Sequence, residues 1–275
     1  METLNKLVAI DPSYFQIGFV TLFFILENFI VNQFSFVKRP RHFLHSFLLF
    51  ATFVAINFFA ATVVVNSFTW LNAHRIGLFF LIKIPYVVQL IAGVLVFDLA
   101  AYWFHRLTHR NPFLWRFHRV HHSDTSMDAS TQLRSHPIDV FYFTSSGILA
   151  SAIFGLDLTS FGLYFLIIMP MTVLEHANLR IPAWVDKSFG LIFTTPNFHK
   201  VHHEQNQVYT DSNYADLFIL WDRLFGTFKY KPTHEIKFGL EEFEEDRKQK
   251  FGYLFISPFI NIPRISSTES EKMEE

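Results

Sequence analysis

Histidine is concentrated in two short stretches of the chain. Five of its 14 histidines fall within residues 105–122, and the end of that stretch, HRVHH at 118–122, has the same spacing as HKVHH at 199–203. Imidazole is the commonest metal ligand among side chains, and residues three or four apart share one face of a helix. The pattern predicts a metal site with nine candidate ligands: His105, His109, His118, His121, His122, His176, His199, His202 and His203.

These ligands fit three short helices. The pair in HRLTH at 105–109 is four residues apart at the end of a predicted helix, and each triplet follows the i, i+3, i+4 rule. Thr195 is a good N-cap, and Pro196 suits the first helical position, where its missing N–H costs nothing. Eight imidazoles on three helices can surround two metal ions, and His176, at the end of a predicted membrane hairpin, is the ninth ligand.

Other readings of the histidines were weighed. A basic amphipathic helix on a lipid surface would use lysine and arginine, and would not need the same triplet twice. Isolated histidines are usually structural or surface residues, and we expect this of His42, His45, His74 and His234. For His136 both a ligand role and a structural role stay open.

Four polar residues are expected to act beside the metal site. Asp98 and Tyr102 lie on one helical stripe with His105 and His109, so Asp98 is expected to bind an imidazole N–H directly or through Tyr102. Asn213 and Asp216 follow the last triplet, where they would support the site or fold the region around it. Glu175 precedes His176 and could serve similarly, although it points about 100° away around the helix.

The composition is that of a membrane protein. Of 275 residues, 51% are hydrophobic and 17% are charged, and 36 are phenylalanine, which exceeds what one soluble core of this size normally buries. The net charge of -1 and the scattered basic residues argue against nucleic-acid binding. The chain has no cysteine, so any metal must be held by nitrogen and oxygen.

The hydrophobic segments predict an all-α integral membrane protein with about four to five transmembrane helices and a cytosolic helical cap that carries the histidines. We place the spans near 14–34, 43–66 and 84–104, with a hairpin near 138–155 and 159–175. Lys38, Arg39 and Arg41 mark the first loop as cytoplasmic. Propagating that orientation brings every histidine cluster to the same membrane face.

Three regions follow from these spans. Residues 1–104 hold the N-terminal transmembrane helices, 105–240 form the histidine-rich catalytic region including the hairpin at 138–175, and 241–275 form a cytosolic tail that ends in the acidic sequence STESEKMEE. The N-terminus lacks the basic region and cleavage site of a signal peptide, so we expect the first apolar run to stay in the protein.

The sequences HRLTH, HRVHH and HKVHH resemble the three histidine boxes of the fatty acid hydroxylase and sterol desaturase superfamily, over roughly residues 90–240. Within that superfamily, HHSDTSMDASTQLRSHP, TPNFHKVHH, NYADLFILWDRLFGTF and FGL at 238–240 are most similar to the alkylglycerol monooxygenase-like bacterial branch. The resemblance implies a di-iron centre, O2 as oxidant, a lipid substrate from the bilayer and a bacterial inner-membrane location.

The chemistry of the ligands agrees with that resemblance. Imidazole suits iron, zinc and copper, and an all-nitrogen shell favours anionic oxygen ligands derived from O2. With no flavin or dinucleotide motif in the chain, the electrons are expected from an external donor protein or reductant. The expected activity is hydroxylation of a long-chain sterol, fatty acyl or ether lipid, in a cleft whose walls include Phe141, Phe143, Phe161 and Phe165.

Three alternatives remain open at this stage. A lipid desaturase would use the same di-iron site, because hydroxylation and desaturation both begin with hydrogen abstraction. A membrane zinc hydrolase would carry H-E-x-x-H, but Gln207 stands where the second histidine would fall after His203 and Glu204. A metal transporter would place its ligands near the middle of the bilayer, whereas these histidines lie at or beyond the ends of the spans.

Overall fold

A computed structural model describes residues 12–30 and 39–264 of the chain. The regular elements in these residues are helices, which confirms the predicted all-α class. The α-helices, numbered α1 to α11, are Pro12–Leu26, Arg39–Ala73, Tyr86–Arg110, Pro112–His122, Pro137–Phe154, Leu158–His176, Ala183–Ser188, Pro196–His202, Gln207–Thr210, Leu220–Leu224 and Phe251–Ile256. Short 3-10 helices lie at Leu78–Phe80, Ala129–Leu133, Phe189–Leu191, Thr233–Glu235, Glu241–Phe243 and Ser257–Phe259.

Three of the described helices are long and apolar enough to cross a membrane: α3, α5 and α6. A bent pair, Arg39–Asn57 and Phe59–Phe80, makes a fourth span if its two arms are counted together. Helix α1 has 15 residues, fewer than the about 20 needed to cross the hydrocarbon core. The expected span at 14–34 is therefore a shorter apolar helix in its described part, and the number of candidate spans is three to four.

The predicted hairpin is confirmed as α5 and α6, and local signals set its ends. Pro137 occupies the first turn of α5 after His136, whose Nδ1 accepts from Ile138 N at 3.2 Å. Gly155 ends α5 in the left-handed conformation, with φ 75°. Asp157 then caps α6 by accepting from Ser160 N at 2.8 Å. The turn is short, so the two helices run antiparallel.

An aromatic core holds the hairpin against α2 and α3. The ring of Phe161 on α6 lies 5.0 Å from that of Phe97 on α3 and 4.9 Å from that of Phe68 on α2. Gly147 on α5 permits this packing, because a Cβ atom there would lie 2.3 Å from the Phe161 ring. The membrane helices are thereby fixed relative to one another at the level below the histidines.

Several sequence expectations concern residues at the edges of the structure. The expected boundary between residues 104 and 105 falls inside α3, which is continuous from Tyr86 to Arg110. Arg39 and Arg41 lie in the first turn of α2. Lys38, the N-terminal 11 residues and the acidic sequence at 267–275 lie outside the described residues.

Candidate metal centre

Four helices bring the nine candidate histidines together. Helix α3 carries His105 and His109 near its C-terminus, and α6 ends at His176. The two triplets lie on α4 and on α8 with the residue after it. The predicted start of α8 is confirmed, because Thr195 accepts from Phe198 N at 3.3 Å and Pro196 follows it. All nine histidines are buried.

The nine histidines divide into two groups, each with its ligand atoms within 4.8 Å of one another. The first group, called group A here, contains five residues: His105, His109, His118, His122 and His202. Its Nε2 atoms converge, with 3.1 Å from His105 to His118, 3.0 Å from His105 to His202 and 3.1 Å from His118 to His122. Helices α3, α4 and α8 therefore meet at one point.

The second group, called group B, contains His121, His176, His199 and His203. The Nε2 atom of His176 lies 3.0 Å from that of His121 and 3.1 Å from that of His199, and the His199 and His203 Nε2 atoms are 3.2 Å apart. This group joins the end of the hairpin to α4 and α8. The structure thus supplies two sets of ligands, which is the arrangement that two metal ions require.

Each triplet is split between the groups in the same way. His118 and His122 belong to group A whereas His121 belongs to group B, and on α8 the i and i+4 residues belong to group B whereas His202 belongs to group A. Residues i and i+4 of a helix are about 40° apart around the axis, whereas i+3 and i+4 are about 100° apart. The repeated H-x-x-H-H spacing therefore lets one helix serve two centres.

The hydrogen bonds of the rings show that the converging nitrogens are free to bind metal. His105 Nδ1 donates to Tyr214 O at 2.7 Å, and His202 Nδ1 donates to Ser212 O at 2.6 Å. Burial, helped by His118, lowers the pKa of His202 to about 3, so this ring is neutral. A neutral ring that donates from Nδ1 has a lone pair on Nε2. Lone pairs 3.0 Å apart repel unless a cation lies between them.

The spacing of the nitrogens also fits a metal ion. Two imidazole nitrogens bound at right angles, each about 2.1 Å from one ion, lie about 3.0 Å apart. The observed Nε2 separations of 3.0–3.2 Å match this value in both groups. Burial also holds the pKa of His121, His122, His199 and His203 well below its ordinary value, so these rings are neutral, as ligands must be.

Two carboxylates that the sequence reasoning missed orient group A. Asp139 Oδ2 accepts from His118 Nδ1 at 3.0 Å, and Asp211 Oδ1 accepts from His109 Nδ1 at 3.2 Å. Such carboxylates fix the tautomer and raise the basicity of a metal ligand. A buried aspartate at the start of an apolar helix was the available signal for Asp139. Asp211 lies in a polar loop and carried none.

Asp98 and Tyr102 occupy different positions from those expected. The Asp98 carboxylate accepts from Trp221 Nε1 at 2.8 Å and from Phe218 N at 3.1 Å, and Tyr102 Oη lies 2.8 Å from Thr227 Oγ1. The expected bond from Asp98 to an imidazole is therefore wrong in this structure. Membrane helix α3 instead uses these side chains to hold the segment at 217–227, because a buried carboxylate needs donors and this segment provides them.

Asn213 and Asp216 lie on different sides of group B. Asn213, with φ 49°, donates from Nδ2 to the carbonyls of Phe198 and Lys229 at 3.0 and 2.8 Å, and so holds the start of the third histidine helix. Asp216 forms with Glu175 and His199 a third cluster whose ligand atoms lie within 4.8 Å of one another. Desolvation, together with the carboxylates of Asp98 and Asp222, raises the pKa of Asp216 to about 8.

The two residues left open by the sequence are also placed. A Glu175 oxygen lies 3.8 Å from His199 Nδ1, so this carboxylate faces a group B ring although it points away from His176. His136 caps α5 and packs its ring 5.3 Å from that of Phe117. It belongs to neither histidine group, which gives it a structural role.

A cavity of about 510 Å³ connects the histidines to the membrane helices. It reaches His105 and His118 of group A and three residues of group B, and its wall follows α6 from Leu158 to His176, a distance of about 27 Å at 1.5 Å per residue. Its aromatic walls are Phe50, Phe53, Phe97, Phe143, Phe161, Tyr164 and Phe165. Phe141 does not line it and is exposed, so that one expected wall residue is wrong.

The fold and the site define an all-helical membrane protein with paired histidine groups beside an apolar cavity. The chain belongs to the fatty acid hydroxylase family, whose model matches residues 90–227, half of the chain. This confirms the resemblance drawn from the histidine boxes. The homologues support a lipid hydroxylase and oxidoreductase.

Several curated proteins are similar to this chain. Alkylglycerol monooxygenase of Danio rerio is 38% identical over 140 residues, which are 48% of this chain and 28% of the relative. An ornithine lipid hydroxylase of Rhizobium tropici is 31% identical over 151 residues, 54% of this chain and 44% of the relative. A very-long-chain aldehyde decarbonylase of Oryza sativa is 29% identical over 153 residues, 54% of this chain and 56% of the relative. The match thus covers less than two thirds of each relative. No solved structure matches the chain.

Proposed function

We propose that this protein is a membrane di-iron oxygenase that uses O2 and external electrons to hydroxylate a long-chain lipid. The observation that carries the proposal is the pair of buried histidine groups at the end of an apolar cavity. A cavity of this kind binds an alkyl chain, and groups A and B adjoin the end of that chain.

Iron suits the ligand set, because imidazole binds iron well and no thiolate is available in the chain. Iron bound by the nine histidines would supply the activation of O2 needed to remove hydrogen from an unactivated C–H bond. We propose His105, His109, His118, His122 and His202 as ligands of one ion and His121, His176, His199 and His203 as ligands of the other.

The protein's own part in the reaction is to position the substrate and exclude water. The ring of Phe143 lies 5.5 Å from His105 and 5.6 Å from His118, so it confines a chain that reaches group A. The apolar wall along α6 discriminates by length and shape, since one methylene is worth only about 1–3 kcal/mol in such a pocket. Selectivity should therefore follow chain length.

The names of two relatives favour hydroxylation over desaturation. One is an alkylglycerol monooxygenase and the other an ornithine lipid hydroxylase. We also propose that electrons come from a separate donor protein or reductant, and that the histidine groups lie on the cytoplasmic side of a bacterial inner membrane. The second proposal rests on Arg39 and Arg41, which begin the long helix α2.

The proposal is tested with the purified protein in lipid nanodiscs, supplied with ferrous iron, a chemical reductant and 18O2. Sterols, fatty acyl lipids and ether lipids are offered separately and followed by mass spectrometry. We expect one 18O atom in a lipid product. Loss of two hydrogens without label would instead identify a desaturase, and an unchanged lipid in every class would overturn the lipid-oxidase assignment.

The matched control is a histidine outside both groups. His202 belongs to group A, whereas the side chain of His234 is 76% exposed. We expect His202→Ala to abolish label incorporation and His234→Ala to retain it. Full activity in His202→Ala would remove the third histidine box from the site.

A further inference from the structure

The cap carries a cluster of large apolar side chains that are exposed although they belong to no spanning helix. Trp184 is 62% exposed, Leu191 60% and Leu224 69%. Phe189, Ile192 and Leu220 beside them are also exposed. We call these six residues the apolar cap surface. Exposed apolar clusters of this kind mark contact with a partner or a membrane.

Specific contacts join the two segments that form this surface. The Arg223 guanidinium on α10 donates to Gly190 O at 2.9 Å, and the Phe193 and Phe218 rings lie 5.4 Å apart. Thr194 N donates to Leu217 O at 2.9 Å. Residues 183–192 and 220–224 therefore form one surface and not two unrelated patches.

This surface continues onto the outer face of a membrane-spanning helix. Phe225, next to Leu224, lies 4.8 Å from the ring of Trp103 on α3. Trp103 is 46% exposed and Leu107, one turn later, is 45% exposed. Ile91 and Leu95 extend the same exposed stripe toward the N-terminus of α3. That stripe belongs to a candidate span, and its natural contact is lipid.

The depth of the contact follows from the length of the span. Helix α3 begins at Tyr86, and about 20 residues cross the hydrocarbon core, so Trp103 lies in the last turn before the interface. The short helix α10 packs at this level, and the exposed Lys187 lies among the apolar residues of α7. Apolar and aromatic side chains with a nearby cation are typical of segments that lie in the interface plane.

We propose that the apolar cap surface is inserted into the boundary between lipid headgroups and acyl chains, so that the cap is partly embedded in the bilayer. Helix α8 follows this surface directly, through Thr194 and the capping residue Thr195. Insertion would hold the third histidine helix at a fixed depth relative to α3. The inference does not depend on which reaction the metal groups catalyse.

The absence of cysteine from the chain makes a direct test possible. Single variants Leu191→Cys and Leu224→Cys carry an environment-sensitive fluorophore, with Lys237→Cys and Glu241→Cys as exposed cap controls. Each protein is reconstituted in phosphatidylcholine vesicles with or without chains brominated near the glycerol. We expect blue-shifted emission and at least twofold stronger bromolipid quenching at residues 191 and 224 than at the controls.

Two results would overturn the proposal. Equal quenching and equal exposure to an aqueous quencher at all four positions would place the surface in water. Protection of residues 191 and 224 from both quenchers would mean that protein, either a partner or a second copy, covers the surface. If labelling impairs folding, the unlabelled protein is compared with Trp184→Phe, and loss of the bromolipid-quenched part of the tryptophan emission is the expected result.

Discussion

The guanidinium of Arg264 donates to Asp211 Oδ1 at 2.8 Å, and the same carboxylate oxygen accepts from His109 Nδ1 at 3.2 Å. Arg264 also stacks 4.0 Å above the ring of Trp115 on helix α4. It lies outside the region matched by the family model, residues 90–227. The C-terminal segment thus contributes a charged partner to a histidine of group A.

Removing this partner should weaken metal binding in group A alone. We expect Arg264→Ala to lower the affinity of one of the two ions by about 10-fold to 100-fold, the usual effect of losing an outer partner of a metal ligand. The measurement is metal content per chain during dialysis against graded chelator, where one ion should leave early. Arg264→Lys should restore part of the affinity.

Arg116 is the matched control for Arg264, because it donates to Ile260 O of the same C-terminal segment without touching Asp211. Arg116→Ala should keep both ions through the chelator series. Equal loss in both variants would mean that docking of the segment, and not the charge on Asp211, holds the metal.

The split of each triplet predicts that histidine variants lose different ions. His202→Ala should impair group A and His203→Ala group B, so each protein should keep about one metal ion where the parent binds about two. Elemental analysis combined with anomalous scattering would locate the ion that remains. A parent protein with one ion or none after iron supplementation would contradict the two-metal assignment.

Asp98 is expected to support the fold more than the metal ions. Asp98→Ala would leave the buried donors Trp221 Nε1 and Phe218 N without their acceptor, at a cost of about 1–3 kcal/mol for each buried unsatisfied donor. We expect a lower unfolding temperature with unchanged metal stoichiometry. Loss of metal at full thermal stability would return Asp98 to the metal site.

The cavity predicts a change in chain-length preference. Ala61 lines the cavity on helix α2, whereas Ala55 on the same helix is exposed. Ala61→Phe should shorten the longest lipid chain that is converted, because the added ring occupies space that the chain needs. Ala55→Phe should leave the length profile unchanged. Competition between lipids of graded chain length in one reaction measures both profiles.

The sequence by itself determined the local features of this protein. The histidine spacing, the cap at Thr195 and Pro196, and the hairpin ending at Gly155 all follow from interactions within a few residues, so they can be read from a pattern. The apolar length of α3, α5 and α6 likewise identified them as spans, because the bilayer thickness sets that length directly.

Only the tertiary structure decided how distant residues combine. His105 and His202 lie 3.0 Å apart across 97 positions of the chain, and Arg264 reaches Asp211 from the C-terminal segment. Asp98 turned to Trp221 instead of an imidazole. In each case the partner is set by how α3, α4 and α8 pack, and many side chains far apart in sequence decide that packing together. A single aspartate or arginine carries no local periodicity from which such a partner could be predicted.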